Sequence, residues 1–73
     1  LPDGNLYATT EDGCIIVNSQ SGSAKIAIYS SDGALIESAD AHMPYRSRQL
    51  ENGVYVVNVK TGNATLRKKV LIR

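Results

Sequence analysis

Seventy-three residues allow one small domain, and a chain this short buries only roughly 60% of the surface its unfolded form exposes. Apolar residues at 42% against 21% charged still support a fold, but with no Trp and no Phe the core must come from Val, Ile, Leu and Ala, in thin layers rather than around a deep pocket. The net charge of +1 and the lack of aromatics among the bases argue against nucleic acid, and no apolar run nears the roughly 18 residues that a membrane-spanning helix needs.

Turn signals divide the chain. Asp3-Gly4, Asp12-Gly13, Ser21-Gly22, Asp32-Gly33, Asn52-Gly53 and Gly62-Asn63 recur at intervals of about ten or twenty residues. Gly tolerates positive φ, and Asp or Asn satisfies the local backbone, so such pairs suit tight reversals. Short strands between reversals predict an all-β protein, and no window shows the helical repeat of apolar residues.

In chain order, Leu1–Asn5 is expected to be the end of a linker from an upstream domain, and residues 6–73 one folded unit. Leu6–Thr9 reads as a short strand at an edge, and Cys14–Asn18 as a β-branched one. Ser23–Ser30 alternates, with Ala24, Ile26 and Ile28 on one face and Lys25, Ala27 and Tyr29 on the other. Ala34–Ser38 follows a Ser-Asp-Gly turn. His42–Gln49 is polar and contains Pro44, which suits an edge strand. Val54–Lys60 sets Tyr55, Val57 and Val59 on one face. Ala64–Arg73 points Leu66, Val70 and Ile72 inward and Thr65, Arg67, Lys69 and Arg73 outward. Lys68 falls on the inward face, so its stem should pack while its ammonium reaches water. Seven strands joined by short loops predict an antiparallel, immunoglobulin-like β-sandwich, without the Cys–Trp–Cys core of antibody domains.

The strand pattern continues to Ile72, although chain ends usually fray. Such an end is either bound into a sheet or available for a partner to read. Charge is also uneven. Residues 1–40 hold six acids and one base, Lys25, whereas residues 41–73 hold seven bases and one acid, Glu51. Oppositely charged strands could pair across the sheet, or the bases could form a patch for an acidic partner.

Catalytic chemistry is thin. Cys14 is the only cysteine and His42 the only histidine, a poor basis for a nucleophile and base. Cys14 reads as a small buried hydrophobe, and His42 as solvated on an edge. Asp32 is explained by its turn. Asp3, Glu11 and Asp12 lack the spacing of a calcium loop. Tyr55, mid-strand in an apolar run, should be core with its hydroxyl at the rim. No cofactor and no metal is expected. Leu1 in place of Met, with no signal-peptide pattern after it, suggests a piece of a longer precursor.

Three stretches in order carry a resemblance. They are Ala24-Lys-Ile-Ala-Ile-Tyr-Ser-Ser-Asp-Gly-Ala-Leu-Ile36, Leu50-Glu-Asn-Gly-Val-Tyr-Val-Val57 and Lys68-Lys-Val-Leu-Ile-Arg73. Together, over about Cys14 to Arg73, they resemble the C-terminal sorting domain of the type IX secretion system of Gram-negative bacteria. That family shows a strand ending in Tyr followed by a turn, Gly and an apolar pair. It then shows Leu-Pro-x-Gly-x-Tyr, and it closes on a basic-apolar strand. Glu51 stands where the family commonly has Pro, and the Tyr-Pro-Asn-Pro that often opens such domains is missing near Cys14.

The resemblance implies an address label rather than an enzyme. Its cargo, often a peptidase or adhesin, would cross the inner membrane by a signal peptide and transit the periplasm. The outer-membrane translocon would recognise the domain, and a sortase-like peptidase would remove it at the surface, leaving the cargo secreted or on the outer membrane. By position, the resemblance makes Gly33, Gly53, Tyr55, Lys68, Lys69, Val70, Leu71, Ile72 and Arg73 the signal-bearing residues. Gly53 is expected to permit the turn that sets the register of the final hairpin.

Two other readings stay open. One is a carbohydrate-binding or adhesive sandwich of a secreted enzyme, which would need an exposed aromatic platform. The other is a structural accessory domain that stabilises a peptidase. Sheet edges also invite strand exchange between copies, hence a homodimer.

Overall fold

The computed structural model describes residues 6–20, 22–62 and 64–73. The expected linker at Leu1–Asn5 and the Asp3-Gly4 turn lie outside them. Seven strands form: β1 (Tyr7–Glu11), β2 (Cys14–Asn18), β3 (Ser23–Ser30), β4 (Leu35–His42), β5 (Tyr45–Arg46), β6 (Gly53–Lys60) and β7 (Thr65–Ile72). They make two antiparallel sheets, ordered β1-β2-β5 and β4-β3-β6-β7. The chain passes between sheets after β2, β4 and β5, as in a Greek-key sandwich. The all-β, seven-stranded, immunoglobulin-like architecture read from the sequence is the one observed.

Alternation decides which face each strand buries. Ala24, Ile26 and Ile28 of β3 meet Tyr55, Val57 and Val59 of β6, with Val70 and Ile72 of β7 beside them. From the other sheet, Ala8, Ile15 and Val17 close the core, and Leu50 caps one end. Ile15, Ile28, Val57 and Val59 have no exposed surface. Cys14 is buried, as a small hydrophobe would be.

The two-residue turn between β1 and β2 follows from its residues. Glu11 pairs with Cys14, and Asp12 and Gly13 take φ of 51° and 80°. Both central residues at positive φ is the hairpin turn that matches strand twist, and Asp-Gly is among the few pairs that adopt it cheaply.

Three strands differ from the sequence reading. β1 is shifted to Tyr7–Glu11, carried to Glu11 by pairing with β2. β4 runs to His42 rather than stopping at Ser38, because residues 35–42 pair along β3. Its Ala39, Asp40 and Ala41 have low strand preference, and the neighbouring ladder overrides it. The expected strand His42–Gln49 shrinks to Tyr45–Arg46. His42 belongs to β4 and is exposed there, while Pro44 lies in the bend that follows, after a cis Met43–Pro44 bond.

Past β5, Ser47 substitutes for strand pairing. Its backbone N–H donates to the Ile15 carbonyl at 2.9 Å, and its Oγ accepts from the Ile15 N–H at 2.8 Å. A two-residue strand and one buried serine thereby satisfy an inner position of β2.

Candidate functional site

The terminal hairpin β6–β7 pairs from Gly53↔Ile72 to Lys60↔Thr65 without a break. Its turn is closed by Thr61, whose N–H donates to the Ala64 carbonyl at 2.9 Å and whose Oγ1 accepts from the Ala64 N–H at 3.0 Å. Gly53 therefore does not form this turn, as the sequence reading had it. It opens β6 at the opposite end, where φ of 156° selects glycine although a Cβ would meet only ordinary contact with the Tyr55 ring at 3.9 Å.

The spacing Glu51-x-Gly53-x-Tyr55 has a physical reason. The Tyr55 ring is buried, and its hydroxyl donates to the Glu51 carbonyl at 2.7 Å. The tyrosine thus ties the incoming loop to its own strand, with the glycine absorbing the bend between them. Gly33 acts similarly in the β3–β4 turn. At φ of 93° it donates its N–H to the Ser30 carbonyl at 3.0 Å. The Ser30 hydroxyl also bonds the Asp32 carboxylate, which, with the Ala34 N–H, holds that carboxyl below its ordinary pKa.

Register places most of these positions at one end of the four-stranded sheet. Ser30 pairs with Tyr55 and Gly53 with Ile72. The β3–β4 turn, the start of β6 and the chain terminus are therefore neighbours. A concavity of about 540 Å³ at this end joins the β1–β2 turn, Asn52 and Leu71–Arg73. Lys68 and Lys69 lie further along β7, opposite Val57 and Val56.

Burial divides the nine signal candidates. Tyr55, Val70 and Ile72 belong to the core, so a partner of the folded domain cannot touch them. Gly33, Lys69, Leu71 and Arg73 are exposed, while Gly53 is half-buried. Lys68 is exposed, and its Nζ also donates to the Ala8 carbonyl at 2.7 Å. This bond spans the sandwich from the last strand to the first and covers an otherwise open edge acceptor of β1.

Apart from Arg48, the bases of the second half are not paired with the acids of the first among the described residues. Among the described residues the one ion pair is Arg48–Glu37 at 3.7 Å. Glu37 also accepts from the Tyr45 hydroxyl, joining β4 to β5 across the sandwich. Neither this clasp nor the role of Ser47 is legible from local pattern, because each depends on a partner 8 or 32 residues away.

The four tyrosines share no platform. Tyr7 lies on the outer face of the three-stranded sheet and Tyr29 on that of the four-stranded sheet, while Tyr45 bonds Glu37 and Tyr55 is core. Among the described residues no group of three His, Cys, Asp or Glu could hold a metal ion, and no helix is long and apolar enough to cross a membrane.

These features define the class: an immunoglobulin-like β-sandwich whose base-bearing final strand is seated in the larger sheet. The family model of the secretion system C-terminal sorting domain matches residues 10–73. The chain belongs to that family, the sorting domain of type IX secretion. It is accordingly a type IX sorting signal, which works with that machinery and marks a secreted or cell-surface protein. No curated protein matches the chain.

Proposed function

We propose that the chain is a non-catalytic label that directs an upstream cargo, joined through residues 1–5, across the outer membrane. The cargo reaches the periplasm first, the translocon reads the label, and a sortase-like peptidase removes it at the surface. Gly33, Gly53 and Tyr55 shape the end of the sheet, while Lys69, Leu71 and Arg73 are read directly.

One observation carries this reading: β7 is paired to Ile72, with Lys69 and Leu71 exposed on it and Arg73 beyond. A receptor that binds a strand already ordered pays little further conformational entropy. Bases without acidic partners within the fold are available to an acidic receptor surface.

The test is a reporter fused to this domain in cells competent for type IX secretion. Deleting Lys69–Arg73 should leave the reporter in the periplasm. That deletion also removes Val70 and Ile72 from the core, so the paired change Lys69→Glu with Arg73→Glu is the cleaner variant. It should lower surface display about tenfold, the equivalent of ~1.4 kcal/mol in receptor affinity, at an unchanged melting temperature. Full display of the folded double variant would overturn the reading.

A further inference from the structure

The outer face of the four-stranded sheet carries groups that stability does not explain. Outward positions are Lys25, Ala27 and Tyr29 on β3, Val54, Val56, Asn58 and Lys60 on β6, and Arg67, Lys69 and Leu71 on β7. Lys25 and Lys60 stand directly opposite each other, and like charges so placed destabilise a sheet. Asp40 is the other cross-strand neighbour of Lys25, but no acid comes within ion-pair distance of Lys25, Lys60, Arg67 or Lys69 among the described residues. One face thus holds four exposed bases against one acid.

The same face concentrates exposed apolar groups. Tyr7, Leu35, Val54 and Leu71 are the large exposed hydrophobic residues among those described. Leu35 pairs with Tyr29 and Val54 with Leu71, so three of the four lie here, at the end that carries the terminus. At the basic end, among Lys25, Asp40 and Lys60, is a trough of about 750 Å³. Ala27 sits between Ser38 and Asn58 in register, so no large side chain fills its middle, and Tyr29 and Arg67 line it.

We infer that this outer face, reaching from Leu71 across to Lys25 and Leu35, docks an acidic protein surface of the secretion machinery. The inference rests on the sorting-signal reading and extends the contact from β7 to β3 and β4. The partner it fits has apolar groups facing Leu35, Val54 and Leu71, and carboxylates facing Lys25, Lys60, Arg67 and Lys69. A protruding side chain able to hydrogen-bond would enter the trough beside Ser38 and Asn58. Charge complementarity sets orientation and on-rate, and the apolar end supplies the desolvated anchor. Four strands of eight residues span roughly 19 by 26 Å, about 500 Å² in plan, a footprint below the roughly 800 Å² per partner of a standard interface and in the range of a transient contact. A lipid surface fits less well: Ser38, Asp40 and Asn58 line the same trough as its apolar wall, and hydrocarbon would leave those polar groups without partners.

The test uses changes that leave residues 61–73 intact. In the reporter fusion, Lys25→Glu with Lys60→Glu should lower surface display about tenfold, as should Leu35→Ser with Val54→Thr. Each variant should melt as the parent does, and Thr9→Glu on the other sheet's outer face should display normally. A photo-crosslinking residue at Ser38 should give an adduct with a translocon component, lost in the Lys25→Glu, Lys60→Glu variant. Normal display of both folded face variants, while Lys69→Glu with Arg73→Glu is retained, would overturn the docking face and leave the sorting reading standing. Normal display of all three would overturn both. Flotation of the purified domain with phosphatidylglycerol vesicles, abolished by the same lysine changes, would overturn the protein partner in favour of a membrane. A sedimenting dimer dissolved by those changes would overturn it in favour of a second copy.

Discussion

The two sheets are held together in different ways. In the four-stranded sheet, strands of eight residues pair along their length, and the backbone ladder does most of the holding. In the three-stranded sheet, β5 offers two residues, and side chains stand in for missing ladder: Ser47 completes β2, and Glu37 reaches Tyr45 from the opposite sheet. Where the ladder suffices, outward side chains are free to carry opposed lysines and exposed leucines that no fold requires. Where it falls short, polar side chains are committed to holding it, Ser47 to the Ile15 backbone and Glu37 to the Tyr45 hydroxyl. The division leaves the larger sheet free to carry the proposed docking face.

The largest effect should come from the centre of that sheet. Ile28 has no exposed surface and sits opposite Val57 on one side and Glu37 on the other. Ile28→Ala removes buried methyl groups and leaves a cavity, which should cost about 2–5 kcal/mol. For a domain this small that is most of the stability, so urea denaturation should show a midpoint near zero and the fusion should be degraded. A shift under about 1 kcal/mol would mean the core is not centred on the β3–β6 ladder.

Ser47→Ala tests the other half of the contrast. The Ile15 N–H, on a fully buried residue, loses its acceptor, and an unsatisfied buried donor costs about 1–3 kcal/mol. Hydrogen exchange should rise at Ile15 and along β2 before it rises on β3 or β6. Uniform exchange across both sheets would show that the sheets do not differ in local stability.

What was legible in the sequence follows the same line. β2 and β3 are legible to the residue, and β6 and β7 nearly so: β2 is a β-branched run, β3 and β6 alternate with one face buried, and β7 sets Leu66, Val70 and Ile72 inward. Charge and exposure on Lys69 and Arg73 followed from the same alternation. The extension of β4 was hidden, since Ala39 and Ala41 are weak strand formers held by their neighbour. The contraction of β5 was hidden too, because a serine that bonds Ile15 looks like any polar residue in a strand. Lys68 could be assigned to the inward face, but its bond to Ala8 depends on how the two sheet edges meet. The clustering of Gly33, Gly53 and the terminus needed the β3–β6 register, which no local pattern supplies.

The smallest expected effect concerns the β3–β4 turn, at the end of the larger sheet that holds Arg73. Asp32 is fully exposed, and its carboxyl lies below the ordinary value of 3.8, chiefly through the Ser30 hydroxyl and then the Ala34 N–H. A folded-state pKa below the unfolded one means the ionised form favours the fold. That contribution is complete above the unfolded pKa and disappears as pH falls through the lowered folded value. Comparing the parent with Asp32→Asn isolates it, since the other carboxylates titrate alike in both. The parent should melt slightly higher at neutral pH, by a constant margin down to about pH 5. The margin should then close in more acid solution, where the protonated aspartic acid and the amide are alike in charge. A margin that persists at low pH would show that the side chain acts through shape, and that the charge at this turn contributes nothing to ordering the end of the sheet where the chain terminates.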